Sequence, residues 1–149
     1  MLATKNLLLI LRHAKSDKSG QVFHDFDRPL NAHGELQPAK IAEQLNELGI
    51  DIHLALVSPA LRTTQTFELL AERLPHPPSP IFDQRIYNAE VDDILSVLEA
   101  HQGYGDNVMV VGHNPALSQI VSILTNDYCE LGTAHLAILK PKKTTIFES

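Results

Sequence analysis

Near its start the chain reads Leu7-Leu8-Leu9-Ile10-Leu11-Arg12-His13-Ala14-Lys15-Ser16, an apolar run followed directly by an arginine and a histidine. A short apolar run without polar interruptions predicts a strand buried on both faces, as strands of parallel sheets are. In open α/β sheets, ligands bind where the strands reach their carboxyl ends. Arg12 and His13 fall at such an end and are candidate functional residues, although a strand that simply ends in two polar residues has the same pattern.

Strands and helices alternate in the sequence pattern beyond this stretch. Apolar runs predict strands at residues 6–11, 52–57, 81–82, 108–111, 136–139 and, at an edge, 144–147. Apolar residues at near-helical spacing predict one helix that begins after Asn31, ends at Gly49 and has Leu36, Ile41, Leu45 and Leu48 on its apolar side. The same spacing predicts helices over residues 59–73, 91–101 and 115–124. Pro38 suits only a first turn, so the start of the first helix stays open. This order predicts one α/β domain over residues 1–149, with a mostly parallel central sheet and helices on both faces.

The composition is that of an acidic, soluble globular protein. The 149 residues carry a formal net charge of -6, with 44% apolar and 20% charged residues, which disfavours a nucleic-acid-binding surface. No apolar run approaches the ~18 residues of a membrane span. The single cysteine, Cys129, excludes an intrachain disulfide and fits a reducing compartment. We therefore expect a cytoplasmic monomer that binds neither nucleic acid nor membranes.

Two further basic residues follow other predicted strands. Arg62 lies in the first turn of the helix after the strand at 52–57, and His113 comes soon after the strand at 108–111. Because the carboxyl ends of parallel strands share one edge of the sheet, both are predicted to converge with Arg12 and His13. Each residue alone has an ordinary explanation, as a solvated arginine or a loop histidine. Four of them at three strand ends are much harder to explain by coincidence.

A cluster of two arginines and two histidines suits phosphoryl transfer. Catalysis of this reaction is largely positioning, plus neutralisation of the charge on three phosphoryl oxygens. Guanidinium groups bind such oxygens through paired N–H donors, and backbone amides at a helix start add to such a site. A neutral histidine can attack phosphorus and hold the phosphoryl group covalently, and nearby positive charge favours this neutral form. Such a site requires no metal ion or other cofactor.

The pattern resembles the histidine phosphatase superfamily, the phosphoglycerate-mutase-like group, from residue 7 to about residue 139. The residues that carry the resemblance are Arg12-His13 after the first strand, Ser58, Arg62, Gln65 and Thr66 in an S-x-x-x-R-x-x-Q-T pattern, and Gly112-His113. The resemblance implies the phosphoglycerate-mutase-like fold. It also implies that His13 is the nucleophile that becomes phosphorylated and that His113 donates to the transferring group. Arg12 and Arg62 would bind the phosphoryl oxygens.

Within this superfamily, residues 12–16, residues 27–30 and Gly34 resemble the SixA-type phosphohistidine phosphatases. The implied partner is a phosphohistidine-containing protein, such as a phosphorelay protein or a sugar phosphotransferase carrier. Lys15 and Ser16, next to the nucleophile, are expected to bind substrate as well.

Two positions depart from the family pattern. The family usually has glycine after the catalytic histidine, and Ala14 fits there only if the position does not need a positive φ. Many members have a glutamate that protonates the leaving oxygen; this chain has Gln84, and an amide cannot act as a general acid at neutral pH. Glu90 or Asp83 is the alternative acid. A site without a dedicated acid favours phosphohistidine, because an imidazole protonated on its other nitrogen departs neutral.

Two other functions stay open for the same pocket. A phosphatase of small phosphate esters or nucleotides would use Glu90 or Asp83 as its acid. A phosphoprotein-binding module would keep the pocket but turn over little.

A metallophosphoesterase is a further alternative, with His24, Asp25 and Asp27 acting as ligands together with His13. The sequence lacks the additional His and Asp residues at strand ends that such a site needs. The simpler expectation is that Asp27 and Arg28 order the loop, or that one of them pairs with Lys15 at the pocket rim.

Overall fold

In the computed structural model, residues 5–18, 24–101 and 107–140 are described. They form five strands, β1 (Leu8–Arg12), β2 (Leu54–Val57), β3 (Pro80–Phe82), β4 (Val108–Gly112) and β5 (Leu136–Leu139). They also form four α-helices, α1 (Ala32–Leu48), α2 (Leu61–Ala71), α3 (Val91–Ala100) and α4 (Ala116–Thr125), and two short 3₁₀ turns at Asp25–Asp27 and Gln84–Ile86. The predicted strands and helices of these ranges are confirmed, whereas the strand predicted at 144–147 lies outside the described residues.

The strands form one sheet in the order β3-β2-β4-β1-β5. β1 and β4 pair in parallel, with Arg12 opposite Gly112, and β2 pairs in parallel with both β3 and β4. β5 runs antiparallel to β1, at one edge of the sheet that the described residues form. The sheet is therefore mostly parallel, as predicted, and β1, β2, β3 and β4 all end at the same side of it.

The two faces of the sheet are covered by separate pairs of helices. In β1, Leu9 and Leu11 pack in the core that contains α1 and α2, whereas Leu8 and Ile10 pack in the core that contains α3 and α4. All four side chains are at most 2% exposed. Burying one such side chain stabilises the fold by about 1.5–3 kcal/mol, so the apolar run that predicts the strand also joins the two layers. Among the described helices, none has the length and apolar character needed to cross a membrane.

Helix α1 begins and ends as its flanking residues predict. The Asn31 Oδ1 atom accepts a hydrogen bond of 2.7 Å from the Gly34 N–H, and Gly49 takes the left-handed conformation, at φ 70°, that caps helices. Pro38, however, lies in the second turn rather than the first. Leu36, expected on the apolar side, is 69% exposed. It lies roughly 140° around the helix from the buried Ile41, because each residue turns an α-helix by about 100°.

Candidate active site

The ends of β1, β2 and β4 lie next to one another. The His13 N–H donates to the Gly112 carbonyl over 3.1 Å, and the Ser58 N–H donates to the Val111 carbonyl over 3.0 Å. The chain therefore leaves these three strands side by side, as predicted for the carboxyl ends of parallel strands. As a result, the rings of His13 and His113 lie only 5.3 Å apart between their centroids.

A cavity of about 770 Å³ opens at this edge of the sheet. It is lined by these predicted site residues: Arg12, His13, Lys15, Ser16, Arg62, Glu90 and His113. Asp83 is not among the lining residues, and the others are Lys18, Asp25, Arg28, Asn88, Ala89, Asn114, Pro115, Gln119 and Thr133. The lining contains five lysines and arginines but only two carboxylates, so the cavity is a cationic site in a protein of net charge -6.

The imidazole of His13 is held in one tautomer. Its Nδ1 lies 2.7 Å from the Ala14 carbonyl oxygen, which can only accept, so Nδ1 carries the ring proton and Nε2 keeps a lone pair. Burial lowers the pKa of His13 to about 4; the hydrogen bond to Ala14 opposes this shift, and the charges of Arg62, Arg12 and Arg28 add to it. His13 is therefore neutral at pH 7, the form in which Nε2 is a nucleophile.

Ala14 occupies its position without backbone strain. Among the described non-glycine residues, those with a positive φ are Asn6, Asn88, Asn126 and Ala134, and Ala14 is not one of them. Its side chain is fully buried, and its N–H donates to Thr66 Oγ1 over 3.0 Å. An alanine therefore fits where the family usually has a glycine.

The loop after His13 packs closely on the start of α1. The Asn31 N–H donates to the Lys15 carbonyl over 3.0 Å. A Cβ atom at Gly34 would overlap the same carbonyl group. Gly34, part of the SixA-type pattern, thus allows α1 to contact the backbone just beyond His13.

Arg12 and Arg62 are both fixed by backbone carbonyls. Arg12 Nη1 donates to the Leu131 carbonyl over 3.1 Å, and Arg62 Nη1 donates to the Asp25 carbonyl over 2.7 Å. The Nε atom of each arginine is buried and has no acceptor within the described part of the chain. Burial and the charge of Arg62 lower the pKa of Arg12. Each guanidinium is therefore held on one side and keeps a buried donor for a ligand that supplies oxygen atoms.

His113 is tied to the residue that follows β2. Its Nε2 lies 2.8 Å from Ser58 Oγ, and its Nδ1 is buried without a partner among the described residues. When the Ser58 hydroxyl donates to Nε2, the ring proton resides on Nδ1, which becomes a third donor without an acceptor. Burial, followed by the influence of Arg62 and His13, lowers the pKa of His113 to about 3. His113 is therefore a neutral hydrogen-bond donor at pH 7.

Asp25, which the sequence analysis considered only as a metal ligand, connects several site residues through its carboxylate. Asp25 Oδ2 accepts from Arg62 Nη2 over 3.0 Å and from the Tyr87 hydroxyl over 2.7 Å, while Oδ1 accepts from Arg28 Nη2 over 3.0 Å. Partial burial acts to raise the pKa of Asp25, but the hydrogen bonds from Tyr87, Arg28 and Arg62 hold it well below its usual range. The site thus contains a bound carboxylate next to two guanidinium groups.

Arg28 has more contacts than the sequence indicates. Besides its bond to Asp25, its Nη1 donates to Ser16 Oγ over 2.7 Å, and Ser16 Oγ in turn donates to the Pro29 carbonyl over 2.6 Å. Arg28 therefore orders the loop, as expected, and also lines the cavity. Among the described residues, neither Asp27 nor Arg28 pairs with Lys15, so that part of the prediction is wrong. The spacing Asp25-x-x-Arg28 is the one sequence signal for this network.

The alternative metal-ligand set is not assembled. Asp25 faces two guanidinium groups, and the described residues contain no group of three or more His, Cys, Asp or Glu side chains placed to hold a metal ion. The stretch from His24 to Asp27 instead contributes Asp25, whose carboxylate binds Arg28 and Arg62.

The two candidate acids have different surroundings. Asp83 accepts three hydrogen bonds from Arg85, from its N–H at 2.9 Å, its Nε at 3.1 Å and its Nη2 at 2.7 Å. Glu90 is exposed and lines the cavity. Gln84, at the family's usual acid position, is exposed outside the cavity lining. The geometry therefore favours Glu90 over Asp83 as a proton donor.

Comparisons with known proteins agree with this geometry. The family model of the histidine phosphatase superfamily (branch 1) matches residues 8–90. An uncharacterized protein of Picosynechococcus sp. is 33% identical over 115 residues, which make up 75% of this chain and 68% of that protein. An uncharacterized chloroplastic protein of Arabidopsis thaliana is 28% identical over 142 residues, 89% of this chain and 65% of that protein. The chain thus spans about two thirds of the length of each relative.

Solved structures share the fold over most of both chains. One from Agrobacterium tumefaciens, assigned as phosphohistidine phosphatase SixA, aligns with a TM-score of 0.81 at 26% identity, over 91% of this chain and 92% of its own. The protein histidine phosphatase SixA complexed with tungstate aligns with a TM-score of 0.79 at 25% identity, over 89% of this chain and 86% of its own. These matches confirm the predicted phosphoglycerate-mutase-like fold of SixA type. The chain therefore belongs to the histidine phosphatase superfamily, and the prediction that it is a phosphatase is confirmed.

Proposed function

We propose that this protein is a phosphohistidine phosphatase that acts through a covalent phosphoryl group on His13. One observation carries the proposal: the buried donors Arg12 Nε, Arg62 Nε and His113 Nδ1. They are the buried side-chain nitrogens and oxygens of the described residues that lack a partner, and all three belong to one cavity. A buried donor without a partner costs about 1–3 kcal/mol. A phosphoryl group supplies three oxygens, one for each donor.

In the first step, the lone pair of His13 Nε2 attacks phosphorus and the bond between phosphorus and the substrate nitrogen breaks. The substrate imidazole takes the electron pair of that bond and departs neutral, because its other nitrogen already carries a proton. Arg12, Arg62 and His113 stabilise the charge on the equatorial oxygens as it develops. In the second step, water attacks phosphorus, the bond to Nε2 breaks, and inorganic phosphate leaves with the water's oxygen.

The features around the nucleophile support a phosphohistidine substrate on a protein. The reaction above needs no general acid, and neither Gln84 nor Asp83 lines the cavity. The related structures described as SixA are a phosphohistidine phosphatase and a protein histidine phosphatase. The partner we propose is accordingly a phosphohistidine-containing protein, such as a phosphorelay protein or a sugar phosphotransferase carrier.

Hydrolysis of small phosphate esters is a second candidate function, and one observation favours it. Glu90 is an exposed carboxylate that lines the same cavity as His13. A carboxylic acid there would protonate an alkoxide leaving group, which phosphate esters require.

The test compares a histidine-phosphorylated peptide with p-nitrophenyl phosphate. We expect faster turnover of the peptide and, after rapid quenching, a phosphoryl group on the His13 side chain, detected by mass spectrometry. His13→Ala abolishes the turnover and the phosphorylation, because the other histidine that lines the cavity, His113, has its Nε2 bonded to Ser58 Oγ and offers no free lone pair there. The matched control is His33→Ala, which replaces an exposed histidine of α1. This variant retains turnover and phosphorylation.

Each contrary result has a distinct meaning. Turnover without phosphorylation of His13 would overturn the covalent mechanism. Faster hydrolysis of the ester than of the peptide would favour the second candidate. Tight binding without hydrolysis would indicate a binding module, and strong inhibition by EDTA would restore the metal-dependent alternative.

A further inference from the structure

We infer that Asp25 is a positioning residue that holds Arg62 in the orientation needed to receive the phosphoryl group. The inference rests on the proposed function, because Arg62 is assigned there to the phosphoryl oxygens. Asp25 lies on the 3₁₀ turn Asp25–Asp27, in the connection between β1 and α1. It is neither nucleophile nor acid in the reaction described above.

Asp25 binds Arg62 through two different groups. Its backbone carbonyl accepts from Nη1 over 2.7 Å, and its carboxylate Oδ2 accepts from Nη2 over 3.0 Å. A guanidinium is a rigid planar fork with five N–H donors, so fixing both terminal nitrogens fixes its plane. The Nε–H and the second N–H of Nη2 then remain together on the adjacent edge. Two parallel donors of this kind match two oxygens of a phosphoryl group.

Asp25 is itself held in place by two other side chains. Its carboxylate accepts from the Tyr87 hydroxyl over 2.7 Å and from Arg28 Nη2 over 3.0 Å. The Tyr87 ring packs edge-on against His113, with centroids 5.6 Å apart and an interplanar angle of 76°. The carboxylate is thus oriented by hydrogen bonds although its side chain is 53% exposed.

This arrangement predicts an effect on catalysis rather than on folding. An exposed side chain contributes little to the core, whereas a misplacement of about 1 Å in a site can lower the rate about a hundredfold. Since Arg62 acts on charge that develops in the transition state, loss of its orientation lowers kcat more than it raises KM.

The test compares Asp25→Asn with Asp27→Asn. Asp27 lies on the same turn and is exposed, does not line the cavity, and has no side-chain hydrogen bond or ion pair with a described residue. Asp25→Asn is expected to lower kcat for the phosphohistidine peptide about ten- to a hundredfold with KM within about threefold. Asp27→Asn, which makes the same change in charge, leaves kcat within about twofold. Tyr87→Phe, which removes one support of the carboxylate, lowers kcat about threefold.

A double-mutant cycle with Arg62→Ala separates positioning from a general effect. In that background Asp25→Asn should change kcat by less than about twofold, because the group that it positions is gone. Melting temperatures of all variants are measured alongside and should stay close to that of the wild type. Equal kcat for Asp25→Asn and Asp27→Asn, or the same loss with and without Arg62, overturns the inference while wild-type turnover persists. A wild type that never phosphorylates His13 overturns the proposed function as well.

Discussion

The carboxyl ends of β1 and β3 lie on the same side of the sheet, and both are followed by polar residues, but these residues are used differently. After β1, Arg12 Nε is buried without an acceptor in the described residues, and His13 Nδ1 is fixed so that Nε2 stays available. After β3, Asp83 and Arg85 satisfy each other, and Arg85 is 48% exposed. Because Arg85 is half exposed, water can satisfy the side-chain donors that Asp83 leaves over, whereas no water reaches the buried Nε of Arg12. Buried donors that lack a partner therefore locate this site better than polar residues at strand ends do.

The largest effect expected from this comparison concerns one arginine from each strand end. Arg12→Ala should lower kcat/KM for the phosphohistidine peptide by about 2.7–4 kcal/mol in barrier, roughly a hundred- to a thousandfold, because it removes donors to the transferring group. Arg85→Ala should leave kcat/KM within about twofold. Steady-state kinetics of the two variants checks this. Similar losses in both would mean that the unpaired donor of Arg12 has no special role.

A smaller effect is expected at the two carboxylates. Glu90→Gln should slow hydrolysis of an alkyl phosphate about a hundredfold if Glu90 is its general acid, because an alkoxide departs poorly without a proton. The same variant should hydrolyse the phosphohistidine peptide at nearly the wild-type rate. Asp83→Asn serves as the control and should change neither rate. Initial rates with both substrates provide the measurement, and a loss on the peptide alone would contradict the assignment.

The smallest expected effect is on how the free energy of unfolding depends on pH. The pKa of His13 is lowered to about 4 in the folded protein, whereas an unfolded histidine titrates near 6.5. Below pH 6.5 the unfolded chain therefore binds a proton that the folded chain does not, and the free energy of unfolding falls as pH falls toward 4. The slope is at most about 1.4 kcal/mol per pH unit for each such histidine.

Replacing His13 with asparagine should remove one such contribution and flatten the dependence. Urea unfolding at pH 7, 6 and 5 measures this dependence, with His33→Asn as the control for replacing an exposed histidine. An equal slope in the wild type and in His13→Asn would show that His13 titrates normally in the folded protein.

Much of the fold follows from the sequence because its signals are local. The apolar run of β1 and the capping residues Asn31 and Gly49 each specify their own surroundings, so the elements they define are found where predicted. Two residues of α1 differ from their predicted positions, Pro38 in its turn and Leu36 in its exposure, and the reason is related. Packing against the rest of the protein, which a local pattern does not contain, decides which face of α1 is buried.

The site, too, has features that the sequence predicts and contacts that it does not. The convergence of Arg12, His13, Arg62 and His113 at one cavity is predicted from the sequence, because the carboxyl ends of parallel strands share one edge of the sheet. The contact of Asp25 with Arg62 is not predicted, since Asp25 is an exposed loop residue and Arg62 lies 37 positions away. No periodicity links the two residues. Nor does the sequence reveal that Asp83 is bound by Arg85, because the same two residues would also suit a proton donor with a neighbouring cation.

The antiparallel direction of β5 has a consequence for how the enzyme is made. Because β5 runs opposite to β1, the segment that enters it lies beside the end of β1: the Leu131 carbonyl binds Arg12 Nη1, the His135 carbonyl binds the Arg12 N–H, and the Ala134 N–H binds the His13 carbonyl. Arg12 leaves the ribosome 119 residues before Leu131, which corresponds to roughly 6–24 s at about 5–20 residues per second. During that interval the nascent chain contains Arg12 and His13 without the backbone groups that hold them, so this end of β1 reaches its final arrangement only after residue 135 has been synthesised.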